Sequence, residues 1–270
     1  MPVTAEPSPR PPLDSSALAA LAPGWRVEVL DASPSTNAVV ADRARRGEDE
    51  GLVVVAEHQT AGRGRLDRVW VTPARAALPF SMLLRPGAVP AARWPWLPLL
   101  AGVAAVEGVR RAAGVDATLK WPNDVLVGDG KLAGILVERV EAAGALAAVV
   151  GIGLNVSSTR AELPVETATS LALEAATSLD RTALLAAILA VLRDEYDGWR
   201  VAGGDPDGSL RSSYTRLCAT VGKQVRVELP GGGRLTGEAT GVDDGGRLEV
   251  ATPDGTRVLG AGDVVHLRVT

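Results

Sequence analysis

Apolar positions along this chain follow two periods, and the switches between them mark out its elements. Arg26–Leu30 and Gly51–Glu57 are short β-branched runs that predict strands, the second apolar on both faces and so buried. Between them, Ser35 is a good N-cap and Gly47 a good C′ residue for a helix over Thr36–Arg46. Residues 58–76 read as a polar, arginine-bearing loop, and Leu78–Leu84 as the next strand. Leu97–Ala113 has helical composition and stops at Gly114. Val115–Trp121 is again strand-like, and Val125–Val127 pairs with Lys131–Val140 across a Gly128-Asp129-Gly130 turn. Ala145–Asn155 is apolar enough to be a central strand. The clearest helix is Asp180–Arg200, where Leu184, Leu185, Ile188, Leu192, Tyr196 and Trp199 form one stripe.

The texture changes beyond Gly203–Ser209 and a short helical stretch. Residues 222–270 are brief alternating strands separated by Pro230–Gly233, Asp243–Gly246 and Pro253–Gly255, the spacing of a small β-barrel. The expected organisation is a flexible tail over 1–22 with a short helix near Ser15–Leu21, a main domain over 23–220 and a small domain over 221–270.

Composition narrows the function. Hydrophobic residues make up 46% of the chain, enough for a large core, and the net charge of −4 argues against a dominant nucleic-acid-binding role. Cys218 is the single cysteine, so a disulfide framework and a cysteine metal site are both excluded. His58 and His266 are the only histidines, which disfavours a His-rich zinc site. Met1–Pro12 has no apolar core of a signal peptide, and no uninterrupted apolar run reaches membrane-spanning length. A reducing, cytoplasmic setting is expected. Lysine occurs only at Lys120, Lys131 and Lys223 among 28 basic residues, which singles out those positions as ones where a compact ammonium is required.

Three segments carry chemistry. The loop from His58 to Trp70 holds Arg63, Arg65 and Arg68, with Gly62 and Gly64 permitting close backbone approach. Arginine forks grip phosphate or carboxylate, so this is either an anion-binding loop or a solvated basic one. It lacks the third glycine and following helix of a dinucleotide fingerprint. Trp70 either covers a nucleobase or sits in the core. Lys120-Trp121-Pro122-Asn123-Asp124 ends a strand, and its buried ammonium needs an anion, supplied by a ligand or by Asp124. Gly151-Ile152-Gly153-Leu154-Asn155 leaves space at a strand end and offers an amide there. There is no nucleophile elbow, His58 reads as structural, and Cys218 as a small buried hydrophobe.

Taken in order, Ser35-Thr36-Asn37, Gln59-x-x-Gly62-Arg63-Gly64-Arg65 with Trp70, Lys120-Trp121-Pro122-Asn123-Asp124, Lys131 through Glu138, and Gly151 through Asn155 resemble the biotin protein ligases over residues 25–270. The resemblance implies an α+β fold: a catalytic domain related to class II aminoacyl-tRNA synthetases, a mixed sheet flanked by helices, followed by an SH3-like barrel. It implies ATP and biotin as substrates, Mg²⁺ as cofactor, and transfer to a lysine of a carboxylase's biotin carrier domain, with no nucleic acid and no membrane as partner. It also assigns roles. Ser35, Thr36, Asn37, Gln59, Gly62, Arg63, Gly64, Lys120, Gly151 and Gly153 would bind biotin. Arg65, Arg68, Trp70, Asn123, Lys131, Asn155 and Arg268 would hold ATP or the adenylate. Lys120, Arg63 and Arg65 would be catalytic, and the metal ligands are unknown. Asp67 stands where the family usually has glycine, with Arg68 beside it to neutralise the charge. The short leader before the motifs implies a ligase without repressor function. Two readings compete: a lipoate or octanoyl carrier ligase, and a non-catalytic biotin sensor. The Gly-Arg-Gly-Arg loop with Trp70 speaks against the first, and the acidic net charge against the second.

Overall fold

The computed structural model describes residues 10–65, 68–142, 144–229 and 232–267. Helix α1 (Ser15–Leu21) precedes strand β1 (Arg26–Leu30), helix α2 (Thr36–Arg45) and strand β2 (Leu52–Ala56). Two-residue strands β3 (Gly62–Arg63) and β4 (Val69–Trp70) lie ahead of β5 (Ala77–Leu84), helix α3 (Leu97–Ala113) and strands β6 (Ala117–Lys120), β7 (Asp124–Val127), β8 (Gly130–Ala142) and β9 (Ala145–Asn155). Helices α4 (Arg181–Val201) and α5 (Leu210–Leu217) lead to β10 (Gln224–Glu228), β11 (Arg234–Val242), β12 (Leu248–Thr252), β13 (Gly255–Leu259) and β14 (Asp263–His266).

A mixed seven-stranded sheet in the order β1-β2-β5-β9-β8-β7-β6 organises the first part; β1 and β2 run parallel and every other pair antiparallel. Its central strands are apolar on both faces because both are covered. Leu52 and Val54 point to one side with Val40 and Ala44 of α2, while Val53 and Val55 join the core beneath α3 and α4 on the other. Asp180 caps α4 by accepting from the Thr182 and Ala183 amides, as the stripe on that helix requires.

The second part is a five-stranded antiparallel sheet, β13-β12-β11-β10-β14. It is fastened to the first by two buried tryptophans. The Trp121 indole donates to Gly246 O at 3.1 Å and the Trp96 indole to Asp244 O at 2.9 Å, both in the β11–β12 turn. The Trp121 amide donates to Thr220 Oγ1 at 3.2 Å.

Three expectations need correction. Residues 58–76 are not all loop: β3 pairs with β4, closed by Gly64 N donating to Arg68 O at 2.7 Å. Two-residue strands are too short to show a period. Strand β6 starts at Ala117 rather than Val115, because the Ala117 amide turns back onto Val115 O. The stretch expected as a flexible tail is, over residues 10–22, bonded to the core. Arg10 pairs with Glu162 at 2.6 Å, the Leu13 amide donates to Glu57 at 2.7 Å, and Leu18 is fully buried.

Candidate active site

A cavity of about 1580 Å³ opens where the N-terminus of α2, the ends of β2, β8 and β9, the β3–β4 loop and the small sheet meet. Its polar floor is built across four elements. Gln59, just past β2, accepts through Oε1 from the Thr36 amide at 2.9 Å and the Thr36 hydroxyl at 3.1 Å. Thr36 Oγ1 lies 2.7 Å from Ser81 Oγ, which donates to Asn37 Oδ1 at 2.6 Å. Asn37 in turn donates to Glu138 at 2.7 Å. Ser35 lines the cavity and caps α2, which aims Thr36 and Asn37 inward. Two hydroxyl protons serve three oxygen–oxygen contacts along Gln59–Thr36–Ser81–Asn37. One contact is therefore short of a proton, so the row keeps acceptor capacity for a ligand that brings N–H groups.

Gly151 and Gly153 are glycines because neighbours occupy the space a side chain would need. A Cβ on Gly151 would lie 2.0 Å from Asn37 Oδ1, and one on Gly153 would lie 2.7 Å from the Trp70 ring. The Trp70 indole thus lies on the β9 backbone at Gly153, beside Gly134 of β8, as a wall of the cavity rather than a core residue. Gly62 lies under this wall, packed on the Gln59 amide and the Trp70 carbonyl, and does not itself line the cavity.

Charge is gathered at the other end. Lys120 ends β6 and faces the cavity without an ion pair among the described residues. Asp124, the protein's own alternative to a ligand anion, sits opposite it in register but pairs with Lys131 at 2.6 Å. Burial lowers the Lys120 pKa; Asp124 and Asp263 raise it, and Lys131 and Arg68 lower it further. Arg65 donates to Asn123 Oδ1 at 3.0 Å, and Asn123 Nδ2 donates to Ile135 O at 2.8 Å. This bond ties the loop to the turn after β6. Arg63 lies 3.9 Å from Glu138. Arg68 pairs with Asp263 of β14, so the loop also touches the small sheet. Asn155 is buried and donates to Thr169 O at 2.9 Å. Of the expected site residues, only Arg268 lies outside the described residues, as does Asp67, the expected partner of Arg68.

Comparison with known proteins gives the family. The sequence model of the Biotin/lipoate A/B protein ligase family matches residues 29–155, and that of the Biotin protein ligase C terminal domain matches 220–267. A biotin–[acetyl-CoA-carboxylase] ligase of Mycobacterium tuberculosis is 41% identical over 268 residues, spanning 96% of this chain and 97% of that one. The chain is a biotin protein ligase by family. A bifunctional ligase/repressor of Bacillus subtilis is 35% identical, over 89% of this chain and 76% of its own length. Among solved structures, the biotin protein ligase of Aquifex aeolicus in complex with biotin and ATP superposes with a TM-score of 0.73 at 27% identity, covering 90% of this chain and 99% of that one.

For a biotin protein ligase, the sequence motifs omit several residues that build this site. Ser81 is fully buried at the centre of the polar row, yet it sits within the apolar strand Ala77–Leu84 and bears no motif. Its one signal is being the only polar side chain in that run. Asp263, Thr220 and His266, also outside the motifs, bring the small sheet to the cavity, while Glu138, the last residue of the Lys131–Glu138 motif, closes the row.

Proposed function

We propose that the chain activates biotin with ATP to biotinoyl-5′-AMP and transfers the biotinoyl group to a lysine of a carboxylase's biotin carrier domain. The observation that carries this reading is one cavity with a proton-deficient polar row at one end and the unpaired Lys120 ammonium at the other. A ureido ring supplies N–H and C=O groups to Gln59, Thr36 and Asn37. The carboxylate of the same molecule then reaches Lys120 along the wall of Gly151, Gly153 and Trp70.

A biotin carboxylate oxygen attacks the α-phosphorus, and the bond to the β-phosphate bridging oxygen breaks with its electron pair leaving on pyrophosphate. Two anions meet in this step, so fixed positive groups lower the barrier. Lys120 and the Arg63 and Arg65 forks are those groups. Arg68, Asn123, Lys131 and Asn155 hold the nucleotide. The carrier lysine then attacks the acyl carbon, AMP departs and the amine loses a proton. No protein nucleophile is needed. The β3–β4 loop shields the mixed anhydride from water.

Among the described residues no three His, Cys, Asp or Glu side chains are gathered to hold a metal. A magnesium ion carried in on the phosphates would keep most of its waters, and the Asp124 or Asp129 carboxylate on the cavity wall would hold it. Bound there, it would neutralise phosphate charge. No helix among the described residues is long and apolar enough to cross a membrane. The free, buried Cys218 accords with a reducing cytoplasm.

Mixing the protein with biotin, Mg-ATP and a carrier domain is expected to give a streptavidin-reactive carrier; an unlabelled carrier would overturn the reading. Lipoate or octanoate supporting pyrophosphate release in place of biotin would move it to the related ligases. Gly151→Ala drives a methyl group into Asn37, which Ser81 and Glu138 hold in place. We expect a rise of about a hundredfold in KM for biotin with KM for ATP little changed, read from pyrophosphate release.

A further inference from the structure

The chain has three lysines, and all three line this one cavity. Lys131 is paired with Asp124, and Lys120 stands at the reacting carboxylate–phosphate junction in the function proposed above. Lys223 has no part in that reading. It is exposed, sits just ahead of β10 and forms no ion pair among the described residues.

Its neighbour is His266. His266 lies on β14 opposite Val225, with Nε2 at 3.0 Å from Thr220 Oγ1. Thr220 is fully buried, and its oxygen already accepts the Trp121 amide. If Nε2 carried a hydrogen, the threonine proton would be left without an acceptor. The network therefore assigns Nε2 as acceptor and places the imidazole proton on Nδ1, as a neutral donor. Burial lowers the His266 pKa, Lys120 and Lys223 lower it further, and Asp129 opposes them. All of these groups line the cavity. Two like charges facing the same space as an imidazole repel each other and hold that imidazole neutral. An anion placed among them relieves the repulsion. With the α-phosphate at Lys120, the anion reaching on toward the small sheet is the rest of the triphosphate.

We infer that Lys223 and His266 form the subsite for the β- and γ-phosphates of ATP, and so for the pyrophosphate that departs. The inference rests on the proposed ligase function. The electron pair of the breaking P–O bond leaves on pyrophosphate, and Lys223 meets that growing charge. Lys223 and His266 thereby take part in the first half-reaction and not in the second, in which these phosphates are absent.

That division supplies the test, made with the full chain. Lys223→Ala is expected to raise KM for ATP about tenfold and to weaken inhibition by inorganic pyrophosphate by a similar factor. KM for biotin and transfer from pre-formed biotinoyl-5′-AMP to a carrier domain should stay at wild-type values. Lys223→Arg should recover most of the ATP affinity. Unchanged ATP and pyrophosphate behaviour overturns the inference. So does a loss confined to transfer from pre-formed adenylate, which would make Lys223 a carrier contact. Wild-type protein that releases no pyrophosphate with biotin is a separate result; it overturns the ligase function and the subsite with it.

Discussion

Lys120→Ala is expected to slow adenylate formation by about 10²–10³-fold while leaving the protein at least as stable. Little in the empty protein holds the Lys120 charge: Asp124 and Asp263 favour it, but burial is the larger effect and opposes it. Lys120 has no ion pair among the described residues, and its opposite neighbour Asp124 is taken by Lys131. A half-buried cation in that position acts on a ligand. The lowered pKa gives the effect a pH signature. Lys120 sheds its proton at lower pH than an exposed lysine, so raising the pH removes the charge from the free enzyme first. Bound phosphates oppose that loss and raise the pKa again. kcat/KM for ATP, which reports the free enzyme, should therefore fall at lower pH than kcat, which reports the complex. Lys120→Arg keeps a charge but spreads it over a planar fork, and should recover only part of the rate. Pyrophosphate release at saturating biotin and the thermal unfolding midpoint are the measurements. Near-normal release by the alanine variant would remove Lys120 from the mechanism.

Elements long enough to show a period were legible before any coordinates. The helix Leu97–Ala113 and the strand Ala145–Asn155 fall on the residues where apolar pattern and terminal signals place them. The elements that escaped are either too short to show a period or held by contacts distant in sequence. β3 and β4 exist because Gly62 packs under Trp70, and residues 10–22 are ordered because Arg10, Pro11 and Leu13 find partners more than forty residues away.

The site divides in the same way. The motif residues Gln59, Lys120 and Gly151 do face one cavity. What the motifs could not supply was the pairing. Asp124, one of the two partners open to Lys120, belongs to Lys131, and Arg68 reaches across to Asp263 of the small sheet. Both outcomes depend on how β7, β8 and β14 sit in register, and register is set by whole-sheet burial rather than by neighbours along the chain. Lys223 shows the reverse case: rarity of lysine marked it in the sequence, and only the docking of the small sheet gave it a place.

Arg181→Ala is expected to cost about 3–5 kcal/mol of folding stability, the largest such loss among these substitutions. Arg181 is the first residue of α4, and its guanidinium lies 2.6 Å from Glu57, with side chains only 4% and 5% exposed. The same guanidinium donates to Pro11 O, and the other oxygen of Glu57 accepts the Leu13 amide. Alanine would leave a carboxylate deep in the protein with one amide donor and an arginine, Arg75, no nearer than 3.9 Å. It would also free the strap that crosses the end of β2. Most of the cost is the abandoned charge rather than the worth of the pair. Adding Glu57→Gln to Arg181→Leu should therefore bring stability back toward wild type, and the double-mutant cycle should show strong coupling. Glu57 stands two residues before Gln59, so a change in biotin affinity is the natural rival explanation for any loss of activity. Well below the unfolding midpoint, KM for biotin in Arg181→Ala should remain near wild type. A large rise there, with the midpoint unmoved, would mean that the ion pair positions Gln59 and does not simply hold the core together.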